Sequence, residues 1–247
     1  FVGRVRAAIP ETGIVSIDAD TSASPKSWQA AVTAIGAANA AVDDVFEGRA
    51  ANVFVAARPP GHHAEKATAM GFCLFNTAAI AARYAQEKHL AERVAIVDWD
   101  VHHGNGTQGI FYARPDVLTV SLHADPVRFY PFFWGHADER GEDEGEGFNV
   151  NYPMPFGTNW DSWNAALEDA CAKLAAYAPD VVVVSLGVDT FEKDPISQFK
   201  LKSEDYPKIG RRIAKLGLPT LFVMEGGYAV EEIGINAVGV LTGFEDR

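Results

Sequence analysis

Cysteine is scarce in this chain of 247 residues, and so is positive charge. The two cysteines, Cys73 and Cys171, cannot build a disulfide framework, so a reducing, cytoplasmic compartment is expected. Lys and Arg number 21 against 33 Asp and Glu, a formal charge of −12 with histidine neutral. That balance argues against broad binding to nucleic acid or to anionic membranes, and it suits a cationic ligand. No apolar run approaches the ~20 residues of a membrane span. The opening Phe1-Val-Gly-Arg-Val-Arg is not a signal peptide. An initiator methionine is missing, which points to processing or to a fragment. Internal repeats and low-complexity linkers are absent too. What the chain does have is apolar residues, at 48%, which excludes extensive disorder.

Short β-rich runs alternate with helical patterns. The runs are Val53–Ala57, Val94–Asp98, Val117–Leu122, Phe148–Tyr152, Val181–Leu186 and Thr220–Met224. Several are apolar throughout, as parallel strands covered on both faces must be. Between them, Trp160, Trp163, Leu167, Cys171, Leu174 and Tyr177 recur at helical steps, as do Tyr206, Ile209, Ile213 and Leu216 after Ser203 as N-cap. Ser27–Glu47 and Asn76–Lys88 also read as helices, with stops at Gly48, Gly217 and Ala178-Pro179. The alternation predicts one α/β domain with a mainly parallel sheet flanked by helices. Ligands of such sheets bind beyond the carboxyl ends of the strands.

Chemistry-bearing residues follow four of those ends. After Val94–Asp98 come Asp100, His102, His103 and Asn105. In extended chain Asp98, Asp100 and His102 point to one side, an oxygen and nitrogen set suited to zinc or a similar divalent ion. The plainer alternative is a polar strand end with a salt bridge. After Val181–Leu186 comes Asp189, a natural third ligand or otherwise a cap. After Val53–Ala57 the stiff Pro59-Pro60-Gly61 turn presents His62 and His63, imidazoles able to ligate metal or move protons. After Thr220–Met224, two glycines free the backbone ahead of Tyr228, whose phenol can donate to a developing oxyanion. Three protein ligands with open positions describe a catalytic ion. A second ion would need more carboxylates, and Gly104, two residues past His102, offers none.

Arg58-Pro-Pro-Gly-His-His-Ala, Gly71-Phe-Cys-Leu-Phe-Asn76, Asp98–Asn105, Val120-Ser-Leu-His123, Leu186-Gly-Val-Asp189 and Gly226-Gly-Tyr228 resemble, in order and spacing, the histone deacetylase superfamily. Its α/β sheet is related to that of arginase. The resemblance runs from about Asp20 to the end. Tyr130–Asp138, Glu146–Asn149, Val183–Glu192 and Met224–Glu232 look most like its bacterial acetylpolyamine amidohydrolases.

The resemblance implies roles. Asp100, His102 and Asp189 are then the ligands of one catalytic Zn²⁺. His62 and His63 are the paired catalytic histidines, and Tyr228 polarises the carbonyl. Asp98 stands behind His62 and also serves a structural K⁺, with Ser121 and the backbone carbonyls of Asp100, His102 and Leu122. Gly71, Phe72 and one of Tyr130 or Phe133 wall the substrate tunnel. Asn105 departs from the aspartate of the class I deacetylases, and a neutral amide should leave His63 less basic. Family members usually begin well before the segment that Phe1 matches, so residues 1–247 read as one catalytic domain lacking an N-terminal part. A homodimer is implied as well.

The expected reaction is removal of acetyl groups from acetylated polyamines or related small acetylamides. Asp138–Glu146 holds six acids and one base after the aromatic run Tyr130–Trp134, which suits steering of a polycation; the alternative is a solvated acidic loop. Two other functions compete: a protein lysine deacetylase with the same chemistry, and a silent module that holds an acetyl ligand. The remaining histidines carry less. His89 is expected to face solvent, His103 to orient a neighbour, and His123 and His136 to sit in cleft-side loops. Cys73 is expected to pack near the tunnel and Cys171 on a helix's apolar face.

Overall fold

Alternate residues of the central strands are apolar on both sides, and the sheet they form is covered on both sides. In a computed structural model describing residues 1–246, β4 (Val94–Asp98) sends Val94 and Ile96 into one core, and Ala95 and Val97 into another. The chain order is α1 (Val2–Ala8), β1 (Val15–Ser16), β2 (Ser22–Ala23), α2 (Ser27–Phe46), β3 (Asn52–Val55), α3 (Thr77–His89), β4, α4 (Asn105–Phe111) and β5 (Val117–Ala124). Then come β6 (Asn149–Met154), α5 (Trp160–Tyr177), β7 (Val181–Leu186), α6 (Tyr206–Ala214), β8 (Thr220–Met224) and α7 (Ile233–Glu245).

The main sheet has six strands in the order β3-β8-β7-β4-β5-β6, all pairs parallel. The single α/β domain expected from the sequence is therefore the one formed. One core lies under α5, α6 and α7 and the other under α2 and α3. Every carboxyl end faces one edge. The register sets Asp98 beside Ser121 on one flank and Ser185 on the other.

Boundaries moved in places. The first run pairs over Asn52–Val55 rather than Val53–Ala57, because Ala57 N–H turns back to the Val55 carbonyl. β5 and β6 stay in register to Ala124 and Met154, so His123 lies inside a strand and not in a loop. Ser203 does not cap α6. Asp205 precedes that helix, and its carboxylate accepts from Lys202 N–H at 2.9 Å. Asn76 and Asn159 do cap α3 and α5, accepting from Ala79 and Ser162 N–H. α7 carries Gly234, Gly239 and Gly243, which hide it from a propensity reading. Gly243 and Gly210 instead let α6 and α7 approach backbone to backbone.

Candidate active site

Four loops at the carboxyl ends of β3, β4, β7 and β8 converge. β4 stops at Asp98, yet the next residues keep the alternation: Trp99 and Val101 enter the core while Asp100 and His102 face the other way. Asp189, two residues past Gly187 at the end of β7, closes the group. Asp100, His102 and Asp189, all buried, bring one donor atom each within 4.8 Å of one another. His102 Nδ1 lies 3.0 Å from Asp100 Oδ1 and 3.2 Å from Asp189 Oδ2. Backbone donors pin the carboxylates: Val101 N–H to Asp189 Oδ1 (2.8 Å) and Gly226 N–H to Asp100 Oδ2 (2.7 Å). The glycine at 226 serves space, not backbone freedom, since a Cβ there would strike both carboxylates.

This donor set fits a divalent cation. Burial and the neighbouring Asp100 charge push the Asp189 pKa up to about 8. Burial opposes charge on His102 as well, but the two carboxylates raise its pKa to about 9. Asp189 Oδ2 is buried, and among the described residues its nearby donor, His102 Nδ1 at 3.2 Å, makes no well-directed hydrogen bond to it. Two crowded acids with an under-satisfied oxygen are what a bound cation relieves.

The paired histidines lie above this group, their ring centroids 3.9 Å apart. They have different partners. His62 Nδ1 meets Asp98 Oδ2 at 2.8 Å, and His63 Nδ1 meets Asn105 Oδ1 at 2.7 Å. Burial disfavours imidazolium at both. At His62 the charges of Asp98, Asp100 and Glu225 overcome it, and the pKa lies well above the usual value. At His63 the neighbouring His62 and His102 add to it, and the pKa lies well below. His62 is thus held charged and His63 neutral. Asn105 also donates to Glu65 Oε1 at 3.0 Å, a bridge that a carboxylate could not make. Burial, with the Asp100 and Asp189 charges, raises the Tyr228 pKa, so its hydroxyl stays a donor.

The access route is a cavity of about 180 Å³ lined by Asp20, His62, His63, Gly71, Phe72, His102, Tyr130, Ile196 and Tyr228, with Pro60 and Gly226. Phe72 and Tyr228 face each other across 6.2 Å, and Tyr130 meets His63 edge-on at 5.0 Å. Gly71 lies so close to His63 that a Cβ would enter the imidazole ring. A larger depression of 520 Å³, lined by Phe1, Val2, Phe75 and Ile80, is apolar and holds none of these groups.

Of the two aromatics offered for the cavity wall, Tyr130 faces inward, while Phe133 is 81% exposed and does not line the cavity. Other expectations fail here. The acidic run does not border the cavity either. Gly141 and Gly145 pack against Tyr112 and Arg114 at the end of α4, and Glu142 N–H bonds the Tyr112 carbonyl. The acids nearest the mouth come from the β1–β2 hairpin, where Asp20 accepts from Gly71 N–H at 3.0 Å. His89 is not solvent-facing: it stacks on Phe46 and bonds Asp43 at 2.7 Å. His103 pairs with Gln108, and His123 bridges Ser121 Oγ and the Gly135 carbonyl, all outside the metal-like group. Ser121 and Asp98 line one small cavity together with His103, Gln108 and Asn151.

Sequence reasoning missed Glu225. It is buried, and its Oε2 accepts from Gly61 N–H (2.7 Å) and His62 N–H (3.2 Å). A charged residue at the end of an apolar strand was its one signal. Asp20, which precedes any recognisable element, had none.

Residues 2–243 match the family model described as the histone deacetylase domain. The chain is 54% identical over 239 residues to acetylpolyamine amidohydrolase 1 of Pseudomonas aeruginosa, covering 97% of this chain and 68% of that protein. It is 49% identical to the acetylpolyamine amidohydrolase of Mycoplana ramosa, covering 91% of this chain and 65% of the other. The chain thus spans about two thirds of the length of these relatives. In solved structures, the acetylpolyamine aminohydrolase from Burkholderia pseudomallei superposes with a TM-score of 0.88 at 39% identity, over 98% of this chain and 77% of that one.

Proposed function

Because the chain belongs to the histone deacetylase family, we propose that it hydrolyses acetylated polyamines or related small acetylamides, releasing acetate and a free amine. The observation that carries this is the buried Asp100–His102–Asp189 group at the floor of a narrow cavity, beside His62, His63 and Tyr228. These three residues would hold the catalytic ion, proposed to be Zn²⁺. Bound there, such an ion supplies polarisation of the acetyl carbonyl and a water of lowered pKa.

The chain's own residues do the rest. His63, neutral and fixed through Nδ1 by Asn105, offers Nε2 as general base for the attacking water. Tyr228 donates its hydroxyl to the developing oxyanion. The proton taken by His63 then passes to the leaving amine. His62 stays charged against Asp98 and adds positive potential without giving up its proton. Phe72 and Tyr130 flank the methylene chain, and Asp20 offers negative charge to a distal ammonium. Asp98 and Ser121, with the carbonyls of Asp100, His102 and Leu122, are proposed to hold a structural K⁺. In support, the sheet register sets Asp98 and Ser121 side by side.

The test is one assay panel. Acetylputrescine, acetylspermine and an acetyl-lysine peptide are offered to the zinc-loaded protein, with and without a chelator. Chelator-sensitive release of acetate from the polyamines, ahead of the peptide, is expected. Faster turnover of the peptide would make it a lysine deacetylase. No turnover with zinc bound would make it a binding module.

A further inference from the structure

Asp194 has no part in the chemistry above, yet its side chain is placed against two walls of the cavity. It lies in the loop after β7 and is 5% exposed. Its own backbone is fixed: Asp194 N–H donates to the Phe191 carbonyl at 3.0 Å, and its carbonyl accepts from Ser197 N–H at 3.3 Å. From that base one carboxylate takes three main-chain donors belonging to two separate turns. Oδ1 accepts Ile196 N–H at 3.1 Å. Oδ2 accepts Tyr228 N–H at 2.7 Å and Ala229 N–H at 3.2 Å. Ile196 and Tyr228 both line the cavity, from different loops.

The Tyr228 turn needs an outside anchor. It follows Gly226 and Gly227, and its first firm local bonds are those of Glu232 and Ile233 N–H back to the Ala229 carbonyl. A phenol hydroxyl sits far from its own Cα, so a small rotation at the backbone becomes a large error at the oxygen. A misplacement near 1 Å costs on the order of 100-fold in rate.

We propose that Asp194 is a positioning residue, which fixes the Tyr228 phenol and the Ile196 wall of the cavity in one register through a single carboxylate. This rests on the reading of Tyr228 as the oxyanion donor, and it goes beyond that reading in naming what aims the phenol. Asp194 itself is neither in the cavity lining nor in the Asp100–His102–Asp189 group.

The experiment pairs Asp194→Asn and Asp194→Ala with Tyr228→Phe, on protein checked for zinc content and melting temperature. The Asn variant keeps the volume and one acceptor oxygen, and serves if the Ala variant does not fold. With Tyr228 present, either change should lower kcat on acetylputrescine by up to about 100-fold. KM should change less, through Ile196. With Phe at 228, the same change should cost little further, because the hydroxyl it aimed is gone. Equal losses in both backgrounds would overturn the proposal and leave Asp194 a general loop anchor. Hydrogen exchange at the Tyr228 and Ala229 amides reads the same question without turnover. Faster exchange in the variants is expected, and unchanged protection overturns the proposal even if the native protein hydrolyses no acetylated amine.

Discussion

Gly226→Ala adds one methyl group at the place where the metal-like group is most crowded. The new Cβ would sit 2.5 Å from Asp189 Oδ2, and nearer still to Asp100 Oδ2. Ordinary contact begins near 3.4 Å, so the methyl is about 0.9 Å too close to Asp189. Neither carboxylate can withdraw freely. Asp100 Oδ1 accepts His102 N–H at 2.9 Å, and Asp189 Oδ1 accepts Val101 N–H at 2.8 Å. Ligand distances tolerate only ~0.2 Å, so the required shift exceeds that several-fold. Disturbing even the partners of metal ligands costs about 10–100-fold in affinity. Direct displacement of two ligands should therefore reach at least the upper end, about 100-fold. Competition against a chelator of known zinc affinity measures the loss, and kcat/KM at saturating zinc measures its consequence. The fold should survive, because the Gly226 carbonyl still accepts Val188 N–H. Native zinc affinity in Gly226→Ala would refute the reasoning, even with reduced kcat, since the fault would then lie in the Tyr228 turn.

Three further outcomes are expected. Asn105→Asp should stabilise the His63 imidazolium and move the acidic limb of kcat/KM up by at least about one pH unit; it should do so more cleanly with Glu65→Gln, which removes the facing carboxylate. An unmoved limb would show that His63 is not the base. Glu225 is held by burial at a pKa of about 7 against an ordinary 4.5. Its raised value means that the folded chain keeps a proton there which the unfolded chain has lost, so this group costs stability as pH rises from 4.5 towards 7. In chelator-treated protein, the melting temperature of Glu225→Gln relative to the parent should climb between about pH 5 and pH 8; a constant difference would contradict it. Gly36, exposed within α2 with open space around it, gains from Ala. That change should stabilise by ~0.5–1 kcal/mol, or roughly 1–4 °C in Tm, read by calorimetry with activity unchanged.

The parallel sheet was legible because several of its strands are apolar throughout, a pattern that follows from burial on two faces and belongs to the chain alone. The placing of Asp100, His102 and Asp189 was legible too, because it needs only alternation past a strand end and the rule that such ends converge. Helices α4 and α7 were not, because Gly106, Gly109, Gly239 and Gly243 argue against helix locally. Gly106, Gly239 and Gly243 contribute instead close approach to other segments, which no local pattern records.

The sequence by itself determined the residue types, their order along the chain and which strand end each follows. Only the tertiary structure decided who meets whom. It gave His62 a carboxylate and His63 an amide; burial and the neighbouring His62 and His102 then lower the His63 pKa, while the Asp98, Asp100 and Glu225 charges raise that of His62 against its burial. It carried the acidic run away to α4 and brought Asp20 to the mouth in its place. It set Glu225 under His62, 163 residues away in the chain. Charge and apolarity are properties of a residue and can be read in order. Desolvation and hydrogen-bond partners belong to pairs far apart in sequence, and the fold alone brings those pairs together.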